Sequence, residues 1–415
     1  MNIPELLSPA GNMEKMKAAI AYGADAVYLS GHAFGMRAAA DNFSVDGLRE
    51  AVAYAHARGV RVYLTVNTMP REYEYAALRT YFEEIRSIPT DAYIVADLGV
   101  LSLLKETDPS RPVHISTQAN AVSAAACRAW QVLGASRVVL ARELTLDEIR
   151  SIRENIPDSL ELEAFVHGSM CISYSGRCLL SGHFVGRDAN RGACAQPCRW
   201  NYTIRGYEIT EEKRPDAPIP VEEVNGETFF MASRDTSMID HIPELCEAGI
   251  QSLKIEGRMK SAYYTAAVTN AYRMALDAYK AGRRTPDPRL SRELESVSHR
   301  PYATGYYFSD SHIDANTVRE NGYIKEKAYL ATVLSYDEKT GMAGLSQRNK
   351  MSVGDSVEML TPGAVGRPLT VTALYDASGV PIPSTSHPYM EFFMPVPFAV
   401  RPGDILRAGG TPEKP

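Results

Sequence analysis

RVYLTVNTMPREYEYAALRTYFEEIRSIPTDAYIVAD (61–97) decides the fold. It opens on an apolar run rich in β-branched and aromatic residues, RVYLTVN (61–67). It passes through an amphipathic stretch, LRTYFEEIRS (78–87), and returns to a second apolar run, DAYIVAD (91–97). Two such runs joined by a helix-period segment describe a β-α-β unit, whose strands are parallel. The same alternation extends upstream through ELLS (5–8) and DAVYLS (25–30), with NMEKMKAAIAYG (12–23) and GLREAVAYAHARG (47–59) after them. Downstream it continues through PVHISTQ (112–118), RVVLAR (137–142), ELEAFVHG (161–168) and SLKIEG (252–257). Their helical partners are SAAACRAWQVLG (123–134), LTLDEIRSIREN (144–155), IDHIPELCEAG (239–249) and YYTAAVTNAYRMALDAYKAG (263–282). Eight strands, each with a helix after it and the fourth helix short, predict an α/β fold, a (β/α)8 TIM-like barrel over residues 1–282. An open doubly wound sheet is the alternative, because periodicity does not show closure.

Beyond Gly282 the pattern changes. RRTPDPRLSREL begins a Pro-rich, charged linker with a short helix (283–326), and residues 327–415 read as short strands with turns. The expectation there is a small all-β barrel domain. Its basic and acidic residues are equal in number, so it lacks the footprint of a strong nucleic-acid module. The whole chain of 415 residues carries a net charge of −6, which argues against a globally basic nucleic-acid binder or a polybasic membrane anchor. The N-terminal MNIPELLSPAGNMEK has no apolar signal-peptide core, and no apolar run is long enough for a membrane helix. A reducing cytoplasmic location is expected, where cysteines serve more often as ligands or catalysts than as disulfides.

In a barrel of this kind the active site lies where strands end. The polar residues at those ends are Ser8, Ser30, Asn67, Asp97, Gln118, Arg142, His167 and Glu256. Helix capping is the simpler account of Ser8 and Asp97. One loop breaks the spacing: roughly sixty residues, 168–229, separate the seventh strand from its helix, and loops that long are usually functional.

That loop holds CISYSGRCLLSGHFVGRDANRGACAQPCRW (171–200), in which Cys171, Cys178, Cys194 and Cys198 are spaced C-x6-C-x15-C-x3-C. Thiolates bind soft metals, and four in so short a segment can close around an ion or a cluster. The spacing matches neither paired zinc knuckles nor ferredoxin runs, so zinc and an iron–sulfur cluster stay open on this ground. Cys127 and Cys246 fall on apolar helix faces and read as core residues. The loop also carries Arg177, Arg187, Arg191, Arg199 and Arg205 against a single acid, Asp188. Planar guanidinium forks suit carboxylates and phosphates, and offsetting the thiolates' negative charge is the plainer account of some of them. Tyr174, Trp200 and Tyr202 are candidates for stacking on bases.

ELEAFVHGSMCISYSGRCLLSGHFVGRDANRGACAQPCRW (161–200) resembles the signature of the collagenase-like peptidase U32 family. The likeness extends to SLKIEGRMKSAYY (252–264), SHRPYATGYYF (298–308) and the opening ELLSPAGNMEKMKAAIAYGADAVYLS (5–30). The resemblance implies an oxygen-independent hydroxylation factor with a [4Fe-4S] cluster on Cys171, Cys178, Cys194 and Cys198. The last of these is the position where family branches differ, and zinc becomes the lesser alternative. It implies hydroxyl derived from prephenate, and an acceptor that in different branches is tRNA wobble uridine, a ribosomal RNA cytidine or a ubiquinone precursor. HGSMCISYSGRCLLSG looks most like the tRNA branch, which makes 5-hydroxyuridine. A second U32-family subunit is a further partner to test.

On this reading Arg177, Arg187, Arg191 and Arg258, with Gln118 and Asn67, bind substrate, the arginines clamping the prephenate dianion. His167, Lys254 and Glu256 move protons, though Lys254 and Glu256 would serve equally as a structural ion pair. Two rivals remain. A peptidase would lack both H-E-x-x-H and G-x-S-x-G, leaving only a Cys171–His167 pairing to perform it. An RNA-binding module with a structural cluster is the non-enzyme reading. No Gly-Lys dipeptide is present, so a Walker-type phosphate loop is absent.

Overall fold

The computed structural model describes residues 3–36, 41–174, 176–199, 208–211, 214–220, 233–309, 324 and 327–409. It divides into two compact units that interleave along the chain. One comprises Met1–Asn12, Asp25–Met259 and His299–Ile324; the other comprises Met13–Ala24, Lys260–Ser298 and Lys325–Pro415. The segment read as a linker, 283–326, is therefore shared between them.

The first unit is built on β1 (Glu5–Pro9), β2 (Ala26–Ser30), β3 (Arg61–Val66), β4 (Ala92–Val95), β5 (Val113–Ile115), β6 (Arg137–Val139) and β7 (Glu161–Ser169). These are followed by a hairpin of β8 (Glu208–Glu211) and β9 (Arg214–Pro220), then β10 (Asp235–Ser237), β11 (Ser252–Ile255) and β12 (Tyr302–Ala303). Strands β1 to β7 pair in sequence order, all parallel. β11 then joins β7 to β1, with Leu253 opposite both Ala164 and Leu6, so the ring closes. The expected barrel is thus observed, and the open-sheet alternative is excluded. Enclosure explains the near-continuous apolar runs in the sequence: AVYLS and AYIV are buried at every position.

The helices are α1 (Met13–Ala21), α2 (Val45–His56), α3 (Tyr75–Ile85), α4 (Leu98–Thr107), α5 (Ala124–Val132), α6 (Leu146–Glu154), α7 (Leu180–Val185), α8 (Ile242–Glu247) and α9 (Ala262–Lys280). In α2, Leu48, Ala51, Val52 and Ala55 form the buried stripe expected of a helix with one face on a core. Caps set where the helices begin. Thr145 and Glu148 form a reciprocal capping box on α6. Asp97 accepts the Val100 N–H at 3.0 Å, so this strand-end carboxylate is a cap. The fourth helix, expected to be short, runs for 10 residues.

Two short strands escape the periodicity reading. β10 lies antiparallel to the end of β7, pairing Ser237 with His167 and Asp235 with Ser169, and β12 pairs with β10. The buried Arg300 guanidinium fixes this addition. It donates to Asp235 through Nε at 3.0 Å and Nη2 at 2.8 Å.

In the second unit, α1 and α9 group with α10 (Pro288–Glu295) and an antiparallel half-barrel. Its strands are β13 (Tyr329–Asp337), β14 (Met342–Gln347), β15 (Ser356–Leu360), β16 (Arg367–Thr370), β17 (Tyr375–Asp376), β18 (Glu391–Pro395) and β19 (Ile405–Ala408). They are ordered β16-β15-β19-β13-β14-β18-β17. Ala331, Leu345, Val357, Phe392 and Leu406 fill its core. Arg407 ties α10 to the sheet, with its guanidinium 2.8 Å from Glu293 and 2.7 Å from Glu358. Among the described residues, no helix is long and apolar enough to cross a membrane.

Candidate active site at the barrel mouth

Barrel interiors of this fold are usually filled by branched apolar side chains. Here one stratum is charged. Glu5 accepts from Arg137 Nη1 at 2.7 Å and from the Tyr63 hydroxyl at 2.7 Å. The same Arg137 nitrogen lies 3.0 Å from Glu163, whose other oxygen receives Lys254 Nζ at 2.7 Å. Lys254 Nζ also sits 4.5 Å from the centre of the Tyr28 ring. All four charged side chains are buried, two carboxylates facing two cations, which is the condition for keeping such groups out of water. Burial pushes the Glu163 carboxyl up, but Lys254 and Arg137 outweigh it and hold the group at about 2. His114 packs edge-on against Tyr63 at 4.7 Å, and burial together with Arg137 keeps its imidazole well below the ordinary value.

Above this stratum the strand ends form a pocket lined by Arg142, Lys254, Glu256 and Arg258, with Asn67 and Gln118. Three cations against one carboxylate give it an anion-binding character. Arg258 is buried and donates to Thr65 Oγ1 at 3.2 Å. Asn67 accepts the Met36 N–H at 3.1 Å and donates to Gln118 Oε1 at 3.3 Å, so the two amides orient each other. Lys254 and Glu256 share the pocket, yet the ion-pair partner of Lys254 is Glu163. His167 is not among the residues that line this pocket. Its ring packs on Tyr302 at 5.2 Å, with Nε2 3.4 Å from the Tyr302 hydroxyl, and Tyr302 in turn stacks on His299 at 4.3 Å.

Cys171, Cys178, Cys194 and Cys198 all border a second cavity, of about 100 Å³, and all four are free thiols. Met36, Gln118 and Arg142 line both cavities, so the cysteine site adjoins the cationic pocket. Local hydrogen bonds set the loop's path. Gly186, in a left-handed conformation at φ 67°, ends α7. The buried Ser181 Oγ accepts the Ala195 N–H at 3.0 Å, and Arg187 Nε donates to the Ala193 carbonyl at 2.9 Å. Gln196, also left-handed at φ 59°, directs its N–H at Cys194 Sγ, 3.3 Å away. A donor aimed at sulfur is the kind of contact that tunes a metal-bound thiolate. Among the described residues, no three His, Cys, Asp or Glu side chains are gathered tightly enough to hold a single metal ion. The four cysteines share the lining of one cavity, and thiols are the donor type that soft metals and iron–sulfur groups take.

The loop arginines do not gather at the pocket. Arg177 donates through Nε to Asn120 Oδ1 at 2.9 Å, and Arg191 pairs with Glu74 in a separate pocket that includes His32. Neither these two nor Arg187 lines either cavity. Of the arginines expected to clamp substrate, Arg258 lines the mouth pocket. Arg142 lines it too, named above among the polar strand ends but not among the arginines expected to clamp substrate. Tyr174 lines the cysteine cavity and is partly exposed. The Arg199 side chain, Trp200, Tyr202 and Arg205 lie outside the described residues.

A closed parallel barrel with four cysteines and a cationic pocket at its mouth defines a cysteine-loop (β/α)8 protein. The chain belongs to peptidase family U32. The family's domain matches residues 11–317, and the peptidase family U32 C-terminal domain matches residues 325–407. It is 36% identical to tRNA hydroxylation protein P1 of Bacillus subtilis, over 98% of this chain and 95% of the relative. It is also 36% identical to tRNA hydroxylation protein P of Escherichia coli, over 95% and 94% of the two chains. A protein called collagenase in Porphyromonas gingivalis is 31% identical over 86% of each.

Proposed function

We propose that this protein hydroxylates tRNA without oxygen, converting wobble uridine to 5-hydroxyuridine with prephenate as the hydroxyl source and a [4Fe-4S] cluster on Cys171, Cys178, Cys194 and Cys198. The near full-length similarity to two tRNA hydroxylation proteins supports the reaction class. The observation that carries the reading is the adjacency of the two cavities, one rimmed by thiols and one by cations, with Arg142 and Gln118 on both. A dianionic donor suits the cationic pocket. Replacing C–H by C–OH removes two electrons from the base; the donor takes them up as its C–O bond gives way to C–H, and moving that pair favours a redox-active group over zinc. When bound, a cluster supplies Lewis acidity or electron transfer.

The chain's own residues then do the positioning. Arg142 and Arg258 hold carboxylates, Asn67 and Gln118 orient the donor, and Glu256 is placed to exchange a proton. The peptidase alternative gains nothing from the geometry. Cys171 lines a cavity with the other three cysteines, a lining that does not include His167, whose ring is engaged with Tyr302.

The test is reconstitution. Protein loaded with iron and sulfide under anaerobic conditions is incubated with prephenate and unmodified tRNA, and nucleosides are read by mass spectrometry. The proposal expects 5-hydroxyuridine that requires both prephenate and the loaded protein. Its absence under these conditions, with the cluster intact, would sink the reading.

A further inference from the structure

Arg142 differs from two buried arginines of the barrel, Arg137 and Arg300. Arg137 and Arg300 are each matched to carboxylates, at 2.7 Å to Glu5 and 2.8 Å to Asp235. Arg142 makes no ion pair among the described residues. Its guanidinium is nonetheless held firmly. It lies 4.3 Å over the Phe165 ring, and Nη1 donates to the Ser169 carbonyl at 2.9 Å. Nε is buried and meets no acceptor, and Nη2 has none either among the described residues.

Nε is closed off from solvent, so Nη2 is the donor left for a ligand, on a planar guanidinium suited to carboxylates. The guanidinium is half-buried, feels the neighbouring Glu143 carboxyl without pairing to it, and keeps a donor free for an anion. Arg142 is also the one charged side chain common to the linings of the thiol cavity and the mouth pocket.

We infer that Arg142 is the carboxylate anchor of the site, gripping one carboxylate of a small dicarboxylate through the unpartnered Nη2 end of its guanidinium and so fixing that molecule at the junction of the two cavities. The inference rests on the proposed function for the identity of its ligand, but it concerns binding and is tested without turnover. Lys254 is a poorer candidate for the same role because its charge is already matched by Glu163 at 2.7 Å. The Phe165 ring beneath and the Ser169 carbonyl beside the guanidinium give the free end its orientation, which a lysine in the same place would not reproduce.

The experiment is calorimetric titration of prephenate into anaerobically prepared full-length protein, wild type against Arg142→Gln and Arg142→Lys. The melting temperature and visible cluster absorption of each variant are recorded alongside. Arg142→Gln is expected to weaken binding at least about tenfold, which corresponds to about 1.4 kcal/mol. Arg142→Lys should recover only part of that loss, because an ammonium lacks the fork. Unchanged prephenate affinity in a folded Arg142→Gln protein would overturn the inference, as would full rescue by lysine or no binding by the wild type. Prephenate binding that depends on Arg142, in a protein that leaves tRNA unmodified, would support the anchor and reject the hydroxylation reading.

Discussion

Lys254 Nζ lies 2.7 Å from Glu163 Oε1, with both side chains buried inside the barrel, so the lysine's ion-pair partner stands on the neighbouring strand and not two residues along its own. The pair joins a chain of contacts that continues through Arg137 to Glu5. Lys254 is thereby fixed under the mouth pocket, and the ligand-facing positive charge there falls chiefly to Arg142 and Arg258.

Removing one member of this chain should be expensive. Glu163→Leu leaves Lys254 and Arg137 without their shared carboxylate, and a loss of about 3–5 kcal/mol is expected. Lys254→Met should cost less, because Glu163 keeps Arg137 at 3.0 Å. Urea denaturation followed by circular dichroism measures both. A double variant less damaged than the sum of the singles would demonstrate the coupling.

Acid should act through the same carboxylate. Its folded value of about 2 lies below the ordinary glutamate value of about 4.3. The stability it contributes is therefore complete above about pH 4.3 and lost as pH falls toward about 2. Melting curves between neutral and acid pH should steepen downward in that window, and Glu163→Gln should remove the part of the slope that this group supplies.

The half-barrel should respond with opposite sign. Burial pushes the Asp404 carboxyl up to about 6, although its carboxylate accepts the Arg401 N–H at 2.9 Å. A raised carboxyl favours the fold below its unfolded value of about 3.9 and loses that contribution as pH rises through about 6. Asp404→Asn keeps an acceptor for Arg401 without the charge. It is expected to stabilise the protein by up to about 2 kcal/mol at pH 8, with little effect at pH 4. Calorimetric melting at the two pH values checks this.

The four thiols should act as a set. Single Cys→Ser changes at 171, 178 and 194 are each expected to abolish bound iron and the visible absorption of anaerobically reconstituted protein. The Cys198→Ser change tests the fourth ligand. Cys127→Ser and Cys246→Ser should retain iron, since burial pushes the Cys127 and Cys246 thiols up to about 11 and 12 and leaves both protonated. Zinc with no iron in the metal analysis would contradict the cluster.

Much of the fold was legible because closed parallel strands are apolar on both faces, so each appears in the sequence as a short run such as RVYLTVN. β10 and β12 were not legible, since three- and two-residue strands carry no period. The membership of α1 and α9 in the second unit was hidden as well, because an apolar stripe does not say which core it meets. At the site, clustering made the cysteines visible. Arg177 and Arg191 looked equivalent to Arg142 and Arg258 by composition, but hydrogen bonds to Asn120 and Glu74 hold them elsewhere, and no spacing rule encodes those contacts. Glu163 escaped notice because a charged residue alternating in a strand normally marks a solvent-facing side, whereas here it faces a buried lysine.

The central claim is tested most directly in cells that lack every other U32-family gene. The gene is deleted, 5-hydroxyuridine derivatives in total tRNA are quantified by mass spectrometry, and the strain is complemented with wild type, Cys171→Ser or Arg142→Gln. Deletion is expected to remove the modification and wild type to restore it fully. No restoration is expected with Cys171→Ser, and strongly reduced levels with Arg142→Gln. An unchanged nucleoside profile on deletion, or full restoration by Cys171→Ser, would contradict the claim.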